Sequence, residues 1–152
     1  MQVISDNDNN NNNSRREKLA ISRQTTPVDF AFMSVRSPTT KKQYPRRLKQ
    51  FFDFIGWLSG DTVEEQALAF LAQAKREPEY WVEDSILLFV NHQKDRVLIT
   101  NEIAAGTLYN FYQPIAIFCK RHKHSLPPID WDMLSESLPE AKRAANDRVL
   151  TV

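Results

Sequence analysis

The stretch TTKKQYPRRLKQFFDFI, Thr39 to Ile55, places five basic residues ahead of its first acid, Asp53, and turns aromatic from Phe51. Within it and just beyond, Tyr44, Leu48, Phe51, Phe52, Ile55 and Leu58 recur at intervals of three and four, which puts them on one stripe of a helix. Ser37 followed by Pro38 reads as an N-cap with proline in the first turn, and Gly60 as the stop signal. Pro45 interrupts the pattern, because a proline inside a helix loses one hydrogen bond and presses on the preceding turn; either the helix kinks there or its regular part begins at Tyr44. Lys42, Arg46 and Lys49, at i, i+4 and i+7, fall opposite the aromatic stripe. One face would anchor the helix in a core while the other presents cations about one turn apart, a spacing suited to successive phosphates. A solvated face with local pairing, for example Lys49 with Asp53, explains the same residues.

Outward from this helix, the chain of 152 residues is long enough for one ordinary domain, expected over residues 37–138. Its net charge of +1 selects no class of partner, but the charge is unevenly placed. Every charged residue from Arg36 to Lys49 is positive, whereas Asp53 to Asp84 holds eight acids against Lys75 and Arg76. A basic surface and an acidic one are expected. Residues 1–36, with their asparagine run, read as a disordered arm containing the short apolar segment VDFAFMSV, Val28 to Val35, able to dock on a partner or on the core. Residues 139–152 read as a linker.

Three further helices are predicted. One opens at a capping pair of Asp61 and Glu64 and runs to about Arg76; one runs from Tyr80 to about Gln93 around the buried ILLFV run; one runs from about Ala105 to Arg121, with Pro114 inside it. A short turn is expected near Asp132 to Leu138. The fold class is therefore all-α, a four- to five-helix bundle. The lone Cys119 excludes an internal disulfide and fits a reducing, cytoplasmic setting, and no apolar run approaches a signal peptide or a membrane span.

Signatures of chemistry are sparse. Cys119, His122 and His124 form a C-x2-H-x-H arrangement without the second ligand pair that zinc requires, so no metal is expected and Cys119 reads as a small core residue. Asp130 and Asp132 read as a helix cap and a surface acid rather than a catalytic pair. Three glycines make no phosphate-cradling loop, and no cofactor or small-molecule substrate is implied. The basic group Lys120 to His124 suits the negative end of a helix dipole as well as it suits a phosphate.

Taken in order, RSPTTKKQYPRRLKQFFDFI, an acidic second helix, EIAAGTLYNFYQPIAIFCKRH, IDW and LPEAKRAANDRVLT resemble the N-terminal core-binding domain of tyrosine recombinases, the phage integrase family, and most closely the integrase-like proteins of archaea. The resemblance runs from about Arg36 to Val152. It implies a small SAM-like helical bundle forming half of a clamp around duplex DNA, with double-stranded DNA and other recombinase subunits as partners in DNA integration and recombination. It assigns DNA contacts to Thr39, Lys42, Arg46 and Lys49, with Lys41 beside them, and to Thr107, Asn110 and Lys120, joined by Tyr109 and Gln113. The family's catalytic domain supplies arginines, an H-x-x-R and a nucleophilic tyrosine; here His92 is followed by Asp95 at the third position, so this chain is expected to bind DNA without cutting it, as a truncated or split product. A helical protein-interaction module, recognising a partner through VDFAFMSV and the acidic helix, is the alternative.

Overall fold

The aromatic stripe of the opening helix meets aromatic residues from every other long helix, and that meeting defines the bundle. The computed structural model describes residues 25–56 and 58–138. Among them are six helices: α1 (Pro27–Phe32), α2 (Pro38–Ile55), α3 (Val63–Arg76), α4 (Trp81–Leu98), α5 (Ala105–Arg121) and α6 (Trp131–Glu136). No strand occurs among the described residues, and the protein is all-α, with four long helices and two short ones. The asparagine-rich segment, the expected linker and the NDR-x-x-T motif lie outside the described residues.

Phe51 and Phe52 of α2, Phe70 of α3, Trp81 and Phe89 of α4, and Phe111 and Phe118 of α5 form one buried cluster. Phe70 sits 5.8 Å from Phe51, 5.3 Å from Phe52, 5.5 Å from Trp81 and 6.2 Å from Phe118, centroid to centroid, so one ring touches all four long helices. These separations fall in the range where tilted and edge-on aromatic pairs are favourable.

The ends of α2 follow from its sequence. The Ser37 hydroxyl accepts the Thr40 amide at 3.3 Å and Pro38 occupies the first turn, where its missing donor is harmless. The C-terminal end departs from expectation. Gly56 adopts φ 82° and donates to the Phe52 carbonyl, so the helix stops at Ile55 and Leu58 is not on it. Neither proline breaks its helix: Pro45 lies within α2 and Pro114, buried, within α5. The carbonyls they deprive of a donor belong to Lys41 and Asn110, both at exposed positions where water can take the bond.

Two other boundaries shift. The cap of α3 is Thr62 with Glu65, not Asp61 with Glu64: the Thr62 hydroxyl accepts the Glu65 amide at 3.2 Å and donates to its carboxylate at 3.0 Å. α4 continues beyond Gln93 to Leu98, because the polar run after Val90 is helical and sidedness persists through it. Gln93 is buried and accepts from Arg96 at 2.7 Å, and Arg96 in turn pairs with Glu102 at 2.9 Å past the helix end.

The largest correction concerns the segment assigned to the arm. Pro27–Phe32 is a helix, and Val28, Ala31 and Phe32 are buried in the common core. Glu64, freed from capping its own helix, caps α1 instead: its carboxylate accepts from the Thr26 hydroxyl at 2.8 Å and the Val28 amide at 3.3 Å. At the other end of the molecule's packing, His122 Nε2 bonds the Pro27 carbonyl at 2.9 Å and its ring lies against Phe30 and Phe118. The core domain therefore begins near Thr26 rather than at residue 37, and this apolar segment is spent on the core.

Cys119 is 1% exposed, and burial pushes its thiol up to about 12. Iodoacetamide, which has no ring to seat against the neighbouring surface, is expected at neutral pH to label it at least about a thousandfold more slowly in the folded protein than in denaturant, since the thiol is buried and neutral. Fast labelling of native protein would show that α5 is not packed as described.

Candidate nucleic-acid interface

The first turns of α2 carry the candidate site. Thr39, the second residue of the helix, Lys42, Gln43 and Arg46 are exposed and, with Pro38, line a shallow depression of about 240 Å³. Lys41 is exposed beside it. Among the described residues, Lys41, Lys42 and Arg46 form no ion pair, so their charge is available to an external anion.

Lys49 is placed differently. One further turn along, its ammonium bonds Asp53 at 3.1 Å and the Gln66 side-chain oxygen of α3 at 3.2 Å, while the Gln66 amide donates to the same Asp53 carboxylate at 2.7 Å. The pairing of Lys49 with Asp53 was the structural alternative for this residue, and it is present. Around the helix Lys49 lies about 20° from Lys42, on the side away from Arg46, and one further turn along the axis it comes within reach of Gln66 on α3.

The bond from Gln66, reinforced by Lys49, holds the Asp53 carboxyl below its ordinary value against a smaller opposing effect of burial. A lowered folded value means that this carboxylate contributes stability above the unfolded pKa, and that the contribution disappears as pH falls through the folded one. The stability of the parent, measured by chemical denaturation, is therefore expected to fall below about pH 4 more steeply than that of Asp53→Asn. The difference is small, because the Asp53 side chain is 54% exposed. Identical acid limbs for the two proteins would remove Asp53 from the network.

On α5 the expected residues divide in the same way. Asn110 and Gln113 are exposed one turn apart, Thr107 is half-buried in the first turn with its amide bonded to the Ala104 carbonyl, and Tyr109 is half-buried against the core. Lys120, two turns beyond Gln113, leans over the Trp131 ring at 5.2 Å. α2 and α5 pack directly on each other, and Arg47 marks the junction, its guanidinium 4.5 Å above the Phe111 ring. Arg47 was not among the expected contacts. Its helical angle, about 100° from Arg46, was the available signal that it faces a neighbouring helix.

Among the described residues no three His, Cys, Asp or Glu side chains converge as a metal site, and no helix is long and apolar enough to cross a membrane. Asp130 caps α6 by accepting the Met133 amide at 3.0 Å, while Asp132 is exposed. Comparison of the chain with protein-family models, with curated proteins and with solved structures found no match.

Proposed function

We propose that this domain binds the backbone of duplex DNA through the first half of α2, in the manner of the core-binding domain of a tyrosine-recombinase-type integrase, and that it does so without cleaving the strand. The observation that carries the reading is the cluster of Lys41, Lys42 and Arg46, exposed and outside any ion pair among the described residues, around a depression that also presents the Thr39 hydroxyl and the Gln43 amide. Cations with hydroxyl and amide donors between them are the usual phosphate-positioning set. Lys49 drops out of the contact set, because its ammonium is already held by Asp53 and Gln66. Asn110 and Gln113, exposed on α5, are the groups suited to reach a base edge or a second phosphate.

Two of the four tyrosines, Tyr44 and Tyr112, are set into the packing and unsuited to attack on a strand. Tyr112 is buried, its hydroxyl lies 3.3 Å from Ser135 Oγ, and burial raises its pKa, the opposite of what a phosphorus-attacking phenolate needs. Tyr44 packs edge-on against Phe32 at 5.5 Å. The compartment that this reading implies is the one holding the DNA, the cytoplasm of a cell without a nucleus.

Titration of a labelled random-sequence duplex across roughly 50 to 200 mM salt tests the reading. Affinity that falls steeply and linearly in log salt supports it. The absence of any binding at the lowest salt overturns it.

The alternative of a protein-interaction module is weaker in one of its two elements, because Val28, Ala31 and Phe32 of the VDFAFMSV segment are buried in the core, with Met33 and Ser34 exposed.

A further inference from the structure

A second concave site lies away from α2, between the C-terminal end of α5, the loop that follows it and α6. Its lining is Lys120 and Lys123 at the rim, Pro127, Pro128, Ile129 and Trp131 as walls, and the buried Cys119 beneath, around a volume of about 410 Å³. That volume lies within the range of sites for small organic ligands. The composition is selective in two respects. The walls are apolar and rigid, with two prolines and an indole, so they suit a flat ring; the charged groups are two lysines with no acid among the lining residues, so they suit an anion. The Cys119 thiol, held neutral by burial, adds no negative charge to the floor.

Lys120 already lies over the Trp131 face at 5.2 Å, and Tyr112 packs against the same indole at 6.4 Å in an edge-on arrangement. A flexible lysine can swing from the ring to an anionic group while a second ring takes its place on the indole. The carbonyl end of α5 opposes an anion here with about half a unit charge, which the two ammonium groups outweigh. Arg121, Asp130 and Asp132 are exposed nearby but are not among the lining residues, so the charges that face the site are those of the two lysines.

We infer that this pocket binds a planar aromatic anion of mononucleotide size, its ring stacked on Trp131 and its phosphate or carboxylate between Lys120 and Lys123. This site does not depend on the duplex-binding reading, since none of its residues lies on α2. The same chemistry is offered by a free nucleotide and by the terminal nucleotide of a single strand.

The test is calorimetric titration of the full chain with adenosine 5′-monophosphate, with adenosine, with inorganic phosphate and with a short 5′-phosphorylated single strand. Saturable one-site binding of the nucleotide is expected, with adenosine and phosphate each at least about tenfold weaker, because each supplies one half of the recognition. K120E/K123E is expected to lose at least about tenfold in nucleotide affinity while still folded at the temperature of the titration, with K120Q/K123Q, which adds no charge opposing the helix dipole, losing affinity in the same direction, while K42E/R46E binds the nucleotide as the parent does. With K42E/R46E as the titrated protein, so that α2 does not contribute, a strand bound at least about tenfold more tightly than the mononucleotide assigns the site to strand ends, and equal affinities assign it to the free ligand. The inference is overturned by the absence of saturable binding, by phosphate binding as tightly as the nucleotide, or by affinity that survives K120E/K123E.

Discussion

Reversing the charge at both Lys42 and Arg46 is expected to weaken duplex binding by about 100-fold at moderate salt, roughly tenfold for each cation turned from attraction to repulsion. The salt dependence carries further information. Two phosphate contacts removed should make the slope of log affinity against log salt shallower by about 2. The variant should fold normally, because both side chains are exposed and neither is in an ion pair among the described residues. Lys49→Gln is the discriminating control. Its ammonium is held by Asp53 and Gln66, so duplex affinity should change by no more than about twofold, whereas a simple row of cations along the helix would make the three positions equivalent. A double reversal that leaves both affinity and slope untouched would sink the α2 interface; a Lys49 effect equal to that of Lys42 would restore the full row.

The contrast between Lys42 and Lys49 also shows what was legible in the sequence. Periodicity gave the long helices and the buried stripe of α2, because apolar residues three and four apart have few other uses. It placed Leu48, Phe51, Phe52 and Ile55 inside, where they are. It did not decide between caps that sit one residue apart. Asp61 with Glu64 and Thr62 with Glu65 are equally good capping pairs on paper, and the choice falls to Thr62 because Glu64 is recruited by Thr26 and Val28, more than thirty residues away in the chain. The same long-range contact explains the missed helix. PVDFAF is too short to be stable alone, and although Thr26 and Pro27 repeat the cap signal of Ser37 and Pro38, that signal does not separate a docked helix from a tail; Glu64 on α3 and His122 just past the end of α5 fix it. On the candidate site, the exposure of Lys42 and Arg46 followed from helix geometry, whereas the capture of Lys49 depends on Gln66, whose side chain reaches across from α3.

Phe70→Ala is expected to destabilise the domain by about 3–5 kcal/mol, a large part of the roughly 5–15 kcal/mol that holds a typical small domain together. The ring is 0% exposed and contacts Phe51, Phe52, Trp81 and Phe118, so its removal opens a cavity at the one point shared by α2, α3, α4 and α5. Collapse cannot fill that space cheaply, because three of the four surrounding rings are held by a further ring contact: Phe51 by Phe89 at 5.4 Å, and Phe52 and Phe118 by each other at 5.8 Å. At about 4 °C for each kcal/mol in a domain of this size, the thermal midpoint should fall by about 12–20 °C. Phe70→Leu keeps more of the volume but loses the ring contacts, and should cost an amount between zero and that of Phe70→Ala. Leu68→Ala, two residues earlier on α3 and 59% exposed, should stay within about 0.5 kcal/mol of the parent. Urea unfolding followed by far-ultraviolet circular dichroism measures all three. Because α2 is held to the other helices through this cluster, Phe70→Ala should also lose duplex affinity near its unfolding midpoint and regain it on cooling, while K42E/R46E remains weak at every temperature at which it is folded. A Phe70→Ala protein within about 1 kcal/mol of the parent would mean that the four long helices do not meet at this ring.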